Sequence, residues 1–238
     1  MNILPRGFYN RPTITVAREL LGKTLVYQVS PDNRFTAKII ETEAYLDDDP
    51  ASHAFRGKTP RNAPMFGPPG FTYIYFIYGM YHCLNFVTEK EGKAGAVLIR
   101  ALEPLEGIEQ MQKNRARGNK NVDMHNLSNG PGKLCRALGL TKAHNEMDMC
   151  LEEGAKGNAE SKSKIQNSKS KKCILRNSGT PKLTTDNYQL TTDPKLYLLD
   201  APKLPPEEIA VTTRIGIREE HQQHWRFYIN GNRFVSKL

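Results

Sequence analysis

Between Arg61 and Glu89 this chain carries no charged residue, and that stretch constrains the fold more than any other. Residues 62–88 are long enough to cross a bilayer core of about 30 Å. Yet they open with Pro64, Gly67, Pro68, Pro69 and Gly70, and Gly79, His82 and Asn85 interrupt them further on. Turn chemistry followed by polar interruption does not make a lipid-facing helix, so no membrane partner is expected. The stretch fits a pair of strands instead. Residues 71–87 hold seven of the chain's 20 aromatic residues, and β-rich runs at 72–78 and 81–87 flank Gly79-Met80. Two such runs around a two-residue turn containing glycine predict a β-hairpin.

The surrounding chain mixes both periodicities. Thr13 precedes an apolar face of Ile14, Val16, Ala17, Leu20 and Leu21, and Gly22 follows, which reads as an N-cap, a helix and a glycine stop. Residues 24–29 and 35–45 read as strands joined by a turn at Ser30-Pro31-Asp32-Asn33, and period-two geometry puts Glu41, Glu43 and Tyr45 on one face. Residues 53–70 form a loop and 94–102 a strand. Leu105, Ile108 and Met111, followed by Arg115 and Arg117, predict an amphipathic helix with cations near its end. Residues 130–139 predict a second helix with Pro131 near its first position. Strand patterning returns at 196–199, 211–217 and 225–229. Between about 152 and 194 the apolar pattern gives way to a low-complexity Lys/Ser/Asn-rich insertion.

Those elements make an α+β protein. At 238 residues, with 38% hydrophobic and 25% charged residues, the chain can bury a real core. It is expected to be a single domain over 1–238 carrying the insertion. Of the net charge of +9, +6 falls within residues 155–177, leaving +3 for the rest. Bulk basicity is therefore weak evidence for a nucleic-acid surface. Cys83, Cys135, Cys150 and Cys173 lie far apart without a CxxC pair, so reduced thiols are expected and no disulfide framework or structural zinc. The N-terminal residues lack the apolar run of a signal peptide.

No Walker loop, GxGxxG, GxSxG or HExxH pattern occurs, so neither a metal nor an organic cofactor is expected. What remains is a carboxylate beside tyrosines, a tyrosine-rich hairpin, and a loop with His53, Thr59 and Arg61. Such parts suit stacking a planar ring and activating a water next to it. The motifs that carry them run in order: Glu41-Thr42-Glu43-Ala44-Tyr45, His53 with Arg56-Gly57-Lys58-Thr59-Pro60-Arg61-Asn62, then Tyr73-Ile74-Tyr75-Phe76-Ile77-Tyr78-Gly79-Met80-Tyr81. Arg100-Ala101-Leu102-Glu103-Pro104-Leu105-Glu106-Gly107, Gly130-Pro131-Gly132-Lys133-Leu134-Cys135 and Arg214-Ile215-Gly216-Ile217 follow. Over roughly residues 4–140 and 196–236 the chain resembles the alkyladenine (3-methyladenine) DNA glycosylase family.

The resemblance implies a curved antiparallel sheet with surrounding helices and a protruding hairpin. It also implies hydrolytic excision of alkylated or deaminated purines from double-stranded DNA by a monomer that flips the base out of the duplex. Tyr78 would fill the vacated space, with Met80 and Tyr81 wedging beside it. Glu43 would be the general base, with Arg100 and the backbone carbonyl of Ile215 as the other ligands of the attacking water. Tyr45, His53 and Tyr75 would sandwich the purine, Asn85 would reject guanine at its exocyclic amine, and Leu98 would line the pocket floor. Thr59, Arg61 and Lys133 would contact the DNA backbone. Such an enzyme works at the nucleoid of a bacterial cytoplasm or in a nucleus.

Plainer readings stand beside these. Tyrosine-rich hairpins commonly pack in cores, Leu98 suits a core equally well, and strand glutamates, loop histidines and lysine runs are commonly solvated. Glu41 could be a solvated residue or an ion-pair partner. A non-catalytic nucleic-acid-binding module would use the aromatic hairpin for stacking but has no use for Glu43, Arg100 and Asn85 together. A nuclease would require metal-binding carboxylates that these motifs do not supply.

Overall fold

One long strand organises the sheet. In the computed structural model, β1 (Thr24–Ser30) turns back into β2 (Asn33–Leu46), 14 residues long, and every neighbour of β2 runs antiparallel to it. The structure describes residues 2–116, 122–150, 194–218 and 223–236. The insertion expected at about 152–194 lies outside them except for Pro194, as do Arg117 and Cys173. The described residues belong to one unit, 1–151 with 192–238.

The remaining strands are β3 (Thr72–Ile77), β4 (Tyr81–Val87), β5 (Gly95–Glu106), β6 (Lys195–Leu199), β7 (Ile209–Thr212) and β8 (Arg226–Ile229). They make an eight-stranded antiparallel sheet in the order β3-β4-β5-β2-β1-β6, with β8 joined to both β2 and β7. One edge of β2 is shared: β1 pairs with it up to Lys38, and β8 takes over at Glu41–Glu43. Register shifts against β5 on either side of Glu41 supply the bend that this change of partner needs. The result is the expected α+β fold with a curled antiparallel sheet.

Among the described residues four α-helices accompany it: α1 (Arg6–Tyr9), α2 (Thr13–Glu19), α3 (Ile108–Arg115) and α4 (Pro131–Leu138). Val16 and Ala17 of α2 are buried, and the Thr42 hydroxyl donates to the Ala17 carbonyl at 2.8 Å, fixing the helix to β2. Leu134, Cys135, Ala137 and Leu138 of α4 join the main core. That helix starts with Pro131 in its first turn and stops at Gly139 in the left-handed region, φ 72°, where a side chain would be strained.

Four local expectations need correction. Thr13 is the first residue of α2, not its cap. The cap is Pro12, and the Thr13 N–H donates instead to Oε1 of Glu89 at 2.8 Å, a carboxylate at the positive end of the helix. Leu105 ends β5 and is exposed, so α3 buries only Met111. The strand expected over 211–217 stops at Thr212, and Ile215-Gly216 form a turn, with Gly216 at φ 77°. The hairpin forms, but its turn comes one residue earlier than expected. Tyr78 and Gly79 both take positive φ, 53° and 66°, and the Met80 N–H donates to the Ile77 carbonyl at 3.2 Å. Positive φ at both central residues is the requirement of a type I′ turn.

The charge-free stretch thus becomes a 3-10 turn (Ala63–Phe66) and the hairpin. Among the described residues no helix is long and apolar enough to cross a membrane. Cys83, Cys135 and Cys150 are free and buried.

Candidate active site

Strand register assembles the centre of the site. Tyr73 on β3 pairs with Asn85 on β4, Asn85 with Leu98 on β5, Leu98 with Glu43 on β2, and Glu43 with Arg226 on β8. Directly opposed residues share a face, so one row across five strands carries these side chains on the same side. Residues two positions along each strand join that face. They include Tyr75, Cys83, Arg100 and Tyr45.

That face floors a cleft of about 550 Å³, within the usual range for a small-molecule site. Tyr45, Tyr73, Tyr75, Cys83, Asn85, Leu98 and Arg100 line it from the sheet, and His53 from the loop after β2. Gly130–Lys133 at the start of α4 and Ile215–Ile217 close it, with Tyr78 and Tyr81 at the hairpin end.

Glu43 sits directly behind this wall with its side chain fully buried. The Tyr45 hydroxyl and Nη1 of Arg100 donate to its Oε2 at 2.9 and 3.1 Å, and the Ile215 N–H donates to Oε1 at 2.8 Å. The Ile215 carbonyl is the group expected to hold the attacking water; what Ile215 gives Glu43 is its amide nitrogen. Arg100 also donates through Nε to Oε1 of Glu41 at 3.0 Å. Glu41 is no solvated glutamate: Nε of Arg226, the Ser236 N–H and the Ser236 hydroxyl donate to it at 2.7, 2.7 and 2.9 Å. Burial alone lowers the pKa of Arg100, but Glu43 and Glu41 outweigh it and raise it.

The ring contacts divide into two groups. His53 and Tyr75 meet edge to face with centroids 4.5 Å apart, and Tyr73 lies 5.6 Å from Tyr75. A ring cannot slip between His53 and Tyr75, so they form one wall together. Tyr45 stands apart from that cluster, covered by the Arg214 guanidinium at 4.6 Å. The Tyr73 hydroxyl and Nδ1 of His53 share a hydrogen bond at 3.0 Å. Burial first, then Arg61, lowers the His53 pKa, and burial pushes Tyr73 up to about 12. Tyr75 is raised by burial and by Cys83, Cys83 by burial against a lowering contact with Tyr75, and Tyr45 by burial and Glu43. Asn85 commits Nδ2 to the Tyr73 and Cys83 carbonyls at 3.0 and 3.3 Å, so the group it can offer a ligand is its oxygen.

The remaining expected residues behave differently from one another. Tyr78 is 81% exposed and Met80 59% exposed at the hairpin tip. Tyr81 instead rests on the start of α4, where a Cβ on Gly132 would come within 2.7 Å of its ring. Thr59 and Asn62 bond each other within a loop, and Arg61 reaches the Phe76 carbonyl at 3.4 Å. Lys133 lines the cleft and donates to Oδ1 of Asn129 at 2.8 Å, and burial followed by Arg115 lowers its pKa. Among the described residues no group of three or more His, Cys, Asp or Glu side chains could hold a metal ion.

Comparison with known proteins settles what kind of chain this is. A family model described as methylpurine-DNA glycosylase matches residues 7–175 and 180–233. The chain belongs to the methylpurine-DNA glycosylase family. A protein of Methanocella arvoryzae, provisionally assigned as a 3-methyladenine DNA glycosylase, is 42% identical over 100% of this chain and 97% of its own length. Proteins with the same assignment from Clostridium perfringens (strain SM101) and Chlorobaculum tepidum are each 40% identical, over 98% and 100% of this chain and 98% and 92% of their own lengths. As a member of this family the chain is a DNA glycosylase of DNA repair, which decides against the non-catalytic binding module.

Proposed function

We propose that this chain draws a damaged purine nucleotide out of duplex DNA into the cleft and hydrolyses its N-glycosidic bond, with Glu43 as the base that activates water. One observation carries the reading: a buried carboxylate with three donors stands directly behind the aromatic wall of a cleft large enough for a purine. Breaking the bond leaves its electron pair on the purine and positive charge on the sugar. Water adds to the sugar carbon, and its proton passes to Glu43, whose charge also stabilises the cationic transition state.

A count of acceptors supports that role for water. Two carboxylate oxygens offer about four acceptor places. Tyr45, Arg100 and Ile215 take three of them, so one is left. Because the side chain is fully buried, water must reach it between those same three residues, which also line the cleft.

The aromatic wall of the cleft suits a positively charged base. The raised tyrosine and thiol pKa values and the lowered His53 pKa keep Tyr45, Tyr73, Tyr75, Cys83 and His53 neutral at neutral pH. Neutral ring faces attract cations through their quadrupoles. A purine alkylated at N3 or N7 is cationic and leaves readily, whereas a neutral lesion needs a proton as it departs. Tyr78, exposed at the hairpin tip, is the ring placed to fill the gap in the duplex.

The test is incubation of a duplex bearing one defined purine lesion, in EDTA, with free base and abasic sites scored. The Glu43→Gln protein is expected to keep lesion binding and lose base release by about 10²–10⁴-fold. Release at the wild-type rate would remove Glu43 as the base.

A further inference from the structure

No described lysine or arginine is buried more completely than Arg214, whose side chain exposes nothing. The edge of its guanidinium grips both oxygens of Asp49, with Nη2 to Oδ1 at 2.9 Å and Nη1 to Oδ2, while Nη1 also donates to the Ala44 carbonyl at 3.0 Å. Two aromatic rings also meet the guanidinium. The Tyr45 ring centroid lies 4.6 Å from the guanidinium carbon and that of Trp225 5.1 Å from it. Trp225 is tied back to the same strand, its carbonyl accepting from the Ala44 N–H at 2.9 Å.

We infer that Arg214 is a positioning residue for base excision: set over the rings of Tyr45 and Trp225 and gripped by Asp49, it holds two of the three donors on Glu43 in place. Those donors are the Tyr45 hydroxyl and the Ile215 N–H. The inference rests on the reading of Glu43 as the base.

Two features make the position sensitive to this one side chain. Tyr45 is the penultimate residue of β2, and its ring is covered by Arg214. Ile215 is the next residue in the chain after Arg214 and lies in segment 213–218, which pairs with no strand among the described residues. The 2.8 Å contact from its N–H to Glu43 therefore depends on what anchors its neighbour. Only arginine suits the place. Its planar fork matches a carboxylate, and its flat faces stack on rings, whereas a lysine ammonium is a point charge that can do neither. Displacement of a reacting group by about 1 Å can cost on the order of 10²-fold in rate.

Arg214→Lys retains the charge and removes the plane. With a lesion-bearing duplex, single-turnover release is expected to slow by about 10-fold to 100-fold while affinity for the duplex stays within about 3-fold. Trp225, the chain's single tryptophan, should report the lost contact through its fluorescence. Altered emission with release within about twofold of wild type would overturn the inference. If Arg214→Lys does not fold, Trp225→Phe decides: release slowed by about threefold or more supports the clamp, and an unchanged rate overturns it.

Asp200→Asn weakens the Lys23–Asp200 pair, which makes no contact with Glu43, and serves as the control for a general loss of stability. An equal slowing in that variant would also overturn the inference. Glu43→Gln measured alongside separates the two readings. An active Glu43→Gln protein defeats the base assignment, whereas an inactive one beside a fully active Arg214→Lys protein defeats the clamp alone.

Discussion

Glu41 and Glu43 stand two residues apart on the same strand, both fully buried, and both bonded to Arg100, yet their surroundings differ. Around Glu41 four donors from Arg100, Arg226 and Ser236 act, three on Oε1 and one on Oε2, and two of them are cationic. Around Glu43 three donors act, one of them cationic, and all three come from residues that also line the cleft. Burial and residue type do not separate a structural carboxylate from a chemical one. The number and the place of its donors do. The Glu41 end of the network ties β2, β5, β8 and the C-terminal Ser236 together. The Glu43 end takes all its donors from residues of the cleft wall.

The sharpest way to break this division is to neutralise each carboxylate in turn. Glu43→Gln should lower single-turnover base release by about 10²–10⁴-fold and cost less stability than the change at Glu41, because Arg100 keeps its bond to Glu41. Glu41→Gln should do the reverse. It leaves Arg226 and Arg100 facing a neutral amide inside the protein, and breaking a buried pair by removing one partner costs about 3–5 kcal/mol. Chemical denaturation should show that loss, while release per folded molecule falls far less than in Glu43→Gln. Two variants with the same profile would mean that the network acts as one unit and cannot be divided.

How much of this was legible beforehand depends on the distance over which each feature is set. Local signals were sufficient for β1, β2, the hairpin strands and α4, because alternation, turn residues and the Gly-Pro-Gly start are contained in short windows. Period two also put Glu41, Glu43 and Tyr45 together correctly, without indicating which carboxylate takes its donors from the cleft wall. That depends on Ile215, 172 residues from Glu43, and Ser236, 195 residues from Glu41, which no periodicity links to β2. The Arg214–Asp49 pair spans 165 residues and escaped for the same reason. The misreadings have equally local causes. Ile215 and Ile217 alternate like strand residues, but both line the cleft beside a turn. Tyr78 looked like the end of a strand because a tyrosine at positive φ has no signature in sequence.

A smaller substitution sharpens the comparison from the chemical side. Tyr45→Phe keeps the ring in the cleft and removes only the hydroxyl that donates to Glu43 at 2.9 Å. A hydrogen bond to a charged group contributes about 1.5–3 kcal/mol. If that contribution is felt mainly in the transition state, release should slow by about 10-fold to 100-fold with little change in thermal stability. Equal loss of lesion affinity would instead show that the hydroxyl serves binding and not the carboxylate.

The smallest effect is expected at the other end of the network. Ser236→Ala removes the hydroxyl donor to Glu41 at 2.9 Å and keeps the Ser236 N–H, which donates at 2.7 Å. Glu41 would retain Arg100, Arg226 and that amide, so about 1 kcal/mol of stability should be lost, as for a typical hydrogen bond. Arg100 would remain fixed through Nε to Glu41 and Nη1 to Glu43, because its contact to the Ser236 hydroxyl is the longest of its three at 3.4 Å. Base release should therefore match the wild type in a single-turnover assay. A Ser236→Ala protein that kept its stability but released base several-fold more slowly would place the C-terminal segment on the chemical side of the division, with Arg100 as the link between the two carboxylates.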